Sequence, residues 1–109
     1  MSYSVLTIPP FDKQLKRLAK KYPSLKSDFS VLLDTLEVEP QKGKAIGKNC
    51  YKIRLGIKSK GKGKSGGARI ITNFVMINNI VYLLTIYDKS DQKNLSEKEL
   101  KKLLKFLPE

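Results

Sequence analysis

The hydrophobic period of this chain switches from helical to alternating near residue 50, and that change constrains the fold more than any other feature. Upstream, Phe11, Leu15, Leu18, Ala19 and Tyr22 recur at helical spacing, and Leu25, Phe29, Leu32, Leu33 and Leu36 form a second stripe. Pro9-Pro10 opens the first helix and Tyr22-Pro23 ends it; the second starts at about Ser24 and stops before Pro40. Downstream the period is two. Tyr51, Ile53, Leu55 and Ile57 alternate with Lys52, Arg54, Gly56 and Lys58, which predicts a strand with one buried and one cationic face. Ala68 to Ile77 reads as a second strand, Asn78-Asn79 as a tight turn, and the nearly unbroken apolar run Ile80 to Tyr87 as a central strand. Tyr3 to Ile8 gives a short strand before the helices. Ser96 with Glu99 fits a capping box, Leu95 with Leu100 its hydrophobic staple, and Leu100, Leu103, Leu104 and Leu107 mark a short final helix. The expected order is β-α-α-β-β-β-α. It describes one α+β domain over residues 1–109, with an N-terminal helical hairpin and the other helix on one side of a mainly antiparallel sheet.

Charge supplies the second constraint. Of 22 basic and 10 acidic residues, ten basic and no acidic ones lie between positions 40 and 87. A solvated charge run that merely aids solubility is normally mixed in sign, as the flanks are here and the middle is not. A polyanion is therefore the first partner expected, and nucleic acid the first polyanion. With no histidine and a single cysteine, Cys50, the chain cannot build a histidine triad, a Cys/His zinc site or an internal disulfide. No apolar run reaches the roughly 20 residues of a membrane span, and residues 1–10 lack the pattern of a signal peptide, so a cytoplasmic protein is expected.

Most motif strings in the chain fail on context. Gly61-Lys-Gly63-Lys-Ser-Gly66 satisfies a dinucleotide fingerprint, but a strand follows it where a helix is required. Gly63-Lys64-Ser65 ends like a P-loop, yet the first glycine of that motif would fall at Lys58. Cys50 reads as a buried structural thiol. The stretch Lys58–Gly67 reads as a flexible basic loop. What remains is a cationic sheet face. Lys52 and Arg54 share one side of a strand, hairpin pairing brings Arg69 beside Arg54, and Lys89 follows the central strand after Tyr87. Arginine offers a planar fork to phosphate oxygens and lysine a point charge or an adaptable proton carrier. Spacing alone leaves open whether this face cleaves a phosphodiester or only binds one.

Four segments carry a resemblance: Phe11 to Pro23, Tyr51 to Leu55, Lys60-Gly-Lys-Gly-Lys-Ser-Gly-Gly-Ala-Arg-Ile-Ile71, and Leu83-Leu-Thr-Ile-Tyr-Asp-Lys89. Together they resemble the RelE/ParE toxin superfamily, most closely its HigB-like branch of RelE-type toxins, over about residues 5–105. The resemblance implies a RelE-like fold and a ribosome-dependent endoribonuclease that cuts messenger RNA in the ribosomal A site, neutralised by a cognate antitoxin. In such enzymes the RNA 2′-hydroxyl attacks the neighbouring phosphodiester, so no metal or cofactor is implied. Lys52 and Arg54 match basic positions of the family's second strand, Arg69 its phosphate-holding arginine, Tyr87 the tyrosine of a Tyr-x-Lys ending and Lys89 the basic position after it. Lys48, Lys58, Lys60, Lys62 and Lys64 are read as RNA-binding cations. Relatives that place a histidine or tyrosine near the C-terminus are not followed here, since residues 88–109 contain neither. The general base then falls to a lysine or a tyrosine, or the site works mainly by electrostatic stabilisation; Lys52 among like charges is the candidate base. The alternatives are a non-enzymatic gyrase inhibitor of the ParE kind and a plain nucleic-acid-binding module on the same fold.

Overall fold

The computed structural model describes residues 2–108. In chain order the elements are β1 (Ser4–Thr7), α1 (Pro9–Lys21), α2 (Leu25–Val38), β2 (Lys44–Gly47), β3 (Cys50–Leu55), β4 (Ala68–Val75), β5 (Ile80–Asp88) and α3 (Glu97–Leu104). Single 3-10 turns occupy Lys58–Lys60 and Met76–Asn78. Both helices of the hairpin form where the stripes place them. Proline occupies the first positions of α1, where its missing amide costs no hydrogen bond. Phe11, Leu18, Leu25, Phe29, Leu32 and Leu36 are all buried.

The strands form one sheet in the order β1-β5-β4-β3-β2, with β1 parallel to β5 and every other pair antiparallel. The expected architecture, α+β with a helical hairpin on a mainly antiparallel sheet and a short C-terminal helix, is the observed one. β5 lies between β1 and β4, which explains its apolar run: a strand inside a sheet covered on both sides needs no polar face. A bulge between Ile71 and Thr72 leaves Leu84 as the extra residue on β5, so adjacent Leu83 and Leu84 are both fully buried.

Two expectations are corrected. The strand β2 was absent from the reading, and it makes the order β-α-α-β-β-β-β-α. It pairs with β3 through a two-residue turn at Lys48 and Asn49, whose φ angles of 56° and 61° are those of a type I′ hairpin. The helices also do not share one side. Ile71 and Tyr87 lie on the face opposite the hairpin, and α3 with its preceding loop covers that second face through Leu95 and Leu100. A central strand that is apolar on both faces must be covered twice. The start of α3 follows the capping box: the Ser96 hydroxyl accepts from the Glu99 amide at 3.1 Å and donates to its carboxylate at 3.2 Å.

Candidate phosphodiester-binding face

Strand register assembles the cationic face. Arg54 pairs with Arg69, which pairs with Tyr87, so these three side chains form one row across β3, β4 and β5. In the next row Lys52 pairs with Ile71 and Ile71 with Thr85, while on its other side Lys52 pairs with Lys44 of β2. Lys52, Arg54 and Arg69 therefore lie on one face, opposite the helical hairpin, as the alternation predicts. A cleft of about 390 Å³ opens beside them, lined by Lys42, Gly43, Lys44, Lys52, Ile53, Arg54 and Lys64. Every charged residue in that lining is a cation. Lys42 and Lys44 were counted in the basic stretch but not assigned to the site, because without β2 nothing placed them opposite Lys52.

The members differ in how free they are. Arg54 is exposed. Lys52 is half-buried and its ammonium donates to Asn94 Oδ1 at 3.1 Å. Burial, and then the charges of Lys89, Lys44, Arg69 and Arg54, hold its pKa below the ordinary lysine value. Arg69 is only 4% exposed. Its Nη1 donates to the carbonyls of Lys64 and Ala68 at 2.9 and 3.1 Å, and its Nη2 to that of Ser65 at 3.1 Å. The guanidinium adds positive field to the row while its donors clasp the chain that leads into β4. Tyr87 is buried with a hydroxyl that has no hydrogen-bond partner, and burial pushes its pKa up against the opposing effect of Arg69. Lys89 is half-buried at the strand end, where its amide donates to the Gly67 carbonyl at 3.0 Å. Gly67 is needed where β4 begins against β3, since a Cβ there would fall 2.1 Å from the Leu55 carbonyl oxygen. Lys48 is exposed at the β2–β3 turn.

The basic loop is built differently from the expectation of a flexible segment. Its first half is pinned to the helical hairpin. The Lys58 amide donates to Asp28 Oδ2 at 3.0 Å, and the Ser59 amide to Ser24 Oγ at 2.8 Å. Lys60 turns inward, with a side chain only 8% exposed, and forms an ion pair of 2.5 Å with Asp88. The Lys60 ammonium also donates to Ser90 Oγ at 2.8 Å, and the Tyr22 hydroxyl to the second Asp88 oxygen. Burial alone would raise the Asp88 pKa, but Lys60, Tyr22 and the Ser90 amide outweigh it and hold the carboxyl at about 2. Lys60 was grouped with the RNA-binding cations; the geometry gives its charge to a buried carboxylate instead. Lys58, Lys62 and Lys64 remain exposed. The signal that points to Asp28 is its place on the α2 stripe beside Phe29, which a reading by apolar residues alone passes over; Tyr22 entered only as an apolar stripe residue, and Asp88 carries no local signal.

Among the described residues, no helix is long and apolar enough to cross a membrane, and no three His, Cys, Asp or Glu side chains gather as a metal-ligand set. Cys50 is buried against the Lys48 carbonyl, and burial raises its pKa, in keeping with a structural thiol. Comparison with known proteins agrees with the fold. A family model described as the RelE toxin of the RelE/RelB toxin–antitoxin system matches residues 12–107. A mutant of the E. coli toxin RelE in the free state is similar with a TM-score of 0.61 at 17% identity, over 96% of this chain and 97% of that one. The toxin–antitoxin complex RelBE2 from Mycobacterium tuberculosis gives 0.60 at 16% identity, covering 84% and 95% of the two chains. A metal-bound toxin from Helicobacter pylori gives 0.52 at 18%, covering 82% and 97%.

Proposed function

This chain belongs to the RelE toxin family, and from that premise we propose that it is the toxin of a type II toxin–antitoxin module that stops translation by cutting messenger RNA in the ribosomal A site. The observation that carries the reading is the group Lys44, Lys52 and Arg54, cations held on one sheet face beside a cleft whose charged lining is entirely positive. A surface of this kind suits a phosphodiester, and a lysine with a depressed pKa among fixed charges suits proton transfer.

In the proposed reaction the RNA 2′-hydroxyl attacks the adjacent phosphorus, and the bond to the 5′-oxygen of the next nucleotide breaks. The products are a 2′,3′-cyclic phosphate and a 5′-hydroxyl. Neutral Lys52 accepts the 2′-hydroxyl proton, while Lys89, close enough to disfavour a charge on Lys52, supplies a proton to the leaving oxygen. Arg54 directs its fork to the non-bridging oxygens, where charge builds in the transition state. Arg69 adds field to the row and positions the loop bearing Lys62 and Lys64. Tyr87 fills the row beside Arg69. A cognate antitoxin with an acidic segment would cover this face, charge complementarity giving rapid capture. We assign its site of action to the cytoplasm and read the Tyr87-Asp-Lys89 ending as support for a HigB-like toxin.

The test is primer-extension mapping of messenger RNA on programmed ribosomes. Cuts are expected in the A-site codon, only with ribosomes present, and lost in Lys52→Ala/Arg54→Ala. No cutting by the wild type, or undiminished cutting by the double variant, contradicts the reading.

A further inference from the structure

The sheet ends in two edge strands that are finished differently. β2 carries Lys44, is followed by Lys48, and shifts its register against β3 between Ala45 and Gly47. Lysines and bulges are devices that keep an edge from pairing with another chain. β1 has neither. Its register against β5 is unbroken, and no charged side chain precedes Asp12 in a chain whose net charge is +12.

The outer backbone of β1 is open. The Ser4 and Ile8 amides donate to the carbonyls of Asn79 and Leu83 at 3.1 and 3.4 Å, so the alternation of the strand turns Val5 and Thr7 outward. Among the described residues neither outward amide has a hydrogen-bond partner. The surroundings are apolar and exposed. Leu6 is 46% exposed, and the bonds of Tyr3 to the Glu37 carbonyl and of Ser4 to the Asn79 carbonyl bring exposed Val38, Met76 and Ile77 near the start of the strand.

We propose that this edge pairs with the β1 edge of a second copy of the chain, antiparallel about a two-fold axis at Leu6. In that register Val5 of each copy faces Thr7 of the other, and every outward amide meets an outward carbonyl. The two Leu6 side chains form the close, non-hydrogen-bonded pair, each continuing onto its β5 neighbour Tyr82. Pairing stops at both ends, because the Tyr3 amide is held by Glu37 and Pro9, which would face it, has no amide hydrogen. Two arguments select a second copy over a different chain. The outward groups are their own complement under two-fold rotation, as a closed homodimer requires. A strongly cationic molecule also meets its own kind with least repulsion where its charge is lowest. β5 and β4 separate this edge from β3, so the cations of Lys52 and Arg54 stay open in the pair. A strand this short gives weak, reversible association.

The test is sedimentation velocity of the full chain over a concentration series at low and high salt. Mass should rise from one chain toward two, and more readily at high salt, where repulsion between the copies is screened. Polyanion binding has the opposite salt dependence, which keeps the two events apart. Leu6→Lys sets like charges on the axis and should stay monomeric with an unchanged far-UV spectrum. Leu6→Cys should form a disulfide-linked dimer under mild oxidation, because non-hydrogen-bonded partners stand about 4.5 Å apart at Cα, within disulfide reach. Ile77→Cys, at a more exposed position off the axis, should link far more slowly. A wild type that stays monomeric throughout, with Leu6→Cys linking no faster than Ile77→Cys, overturns the proposal and leaves the edge to a strand of another chain. Association that survives Leu6→Lys unchanged overturns it as well, since the copies then meet on another surface.

Discussion

The glycine-rich segment from Ile57 to Gly67 and the sheet face of β3 and β4 are both strongly basic, yet the fold uses their charges in different ways. In the loop, Lys60 is drawn under the surface to Asp88 and Tyr22, and Asp28 and Ser24 hold the neighbouring amides. On the sheet, Lys52, Lys44 and Arg54 form no ion pair among the described residues, and Lys44 and Arg54 disfavour a charge on Lys52. The loop therefore spends a cation on its own shape, while the sheet-face cations are left free for the polyanion of the proposed function. The number of positive charges does not reveal this division. The positions of buried carboxylates do.

The largest effect that could break the comparison is on stability. Lys60→Met strands the Asp88 carboxylate in the interior, and loss of one member of a buried pair costs about 3–5 kcal/mol. Lys62→Gln, a few residues away and exposed, should stay within about 0.5 kcal/mol of the wild type. Chemical denaturation midpoints measure both, and equal midpoints for the two variants would erase the distinction. Next comes catalysis. Arg54→Ala should lose about 10²–10³ in single-turnover cleavage rate while leaving the midpoint near wild type, since the side chain is exposed. Arg54→Lys should recover only part of this, because the planar fork is gone. Arg69→Ala should instead lose both rate and stability, because three carbonyls of residues 64–68 lose their donor.

A smaller effect appears in acid. Asp88 has its pKa lowered from 3.8 to about 2, so its contribution is fully present above about pH 4 and is lost as pH falls through 2. That difference corresponds to about 2.4 kcal/mol. Acid unfolding curves should show this loss in the wild type and lack it in Asp88→Asn. The smallest effect is electrostatic. Replacing Lys62 and Lys64 by Gln should lower the slope of log affinity against log salt by about 1.4 for single-stranded RNA, at about 0.7 per phosphate contact. An unchanged slope would mean that the exposed half of the loop does not meet the polyanion.

These contrasts also mark what was legible in the sequence. Both hairpin helices, three of the strands after them and the cap of α3 were readable, because each rests on a local period or a local side-chain bond. That Arg54 and Arg69 could meet was readable from the order of the strands, but the long connection between them, residues 56–67, does not fix the register that pairs them. Strand β2 was not: Ile46 is its one half-buried apolar residue, and its turn uses Lys48 and Asn49 where glycine is the usual signal. The inward turn of Lys60 was hidden for another reason. Its partner Asp88 lies 28 positions away and its neighbour Tyr22 caps the C-terminal end of α1. Alternating lysines and glycines look solvated from end to end until the fold brings a buried carboxylate beneath one of them.

The central claim is that Lys52, held with a depressed pKa on the cationic sheet face, is the group that moves the proton during RNA cleavage. The most direct measurement is the single-turnover cleavage rate on programmed ribosomes across about pH 6 to 9, wild type beside Lys52→Ala. The wild-type rate should climb with pH as Lys52 loses its proton, and the variant should be slow and flat over the same range. A variant that keeps the wild-type rate and the same climb would contradict the account.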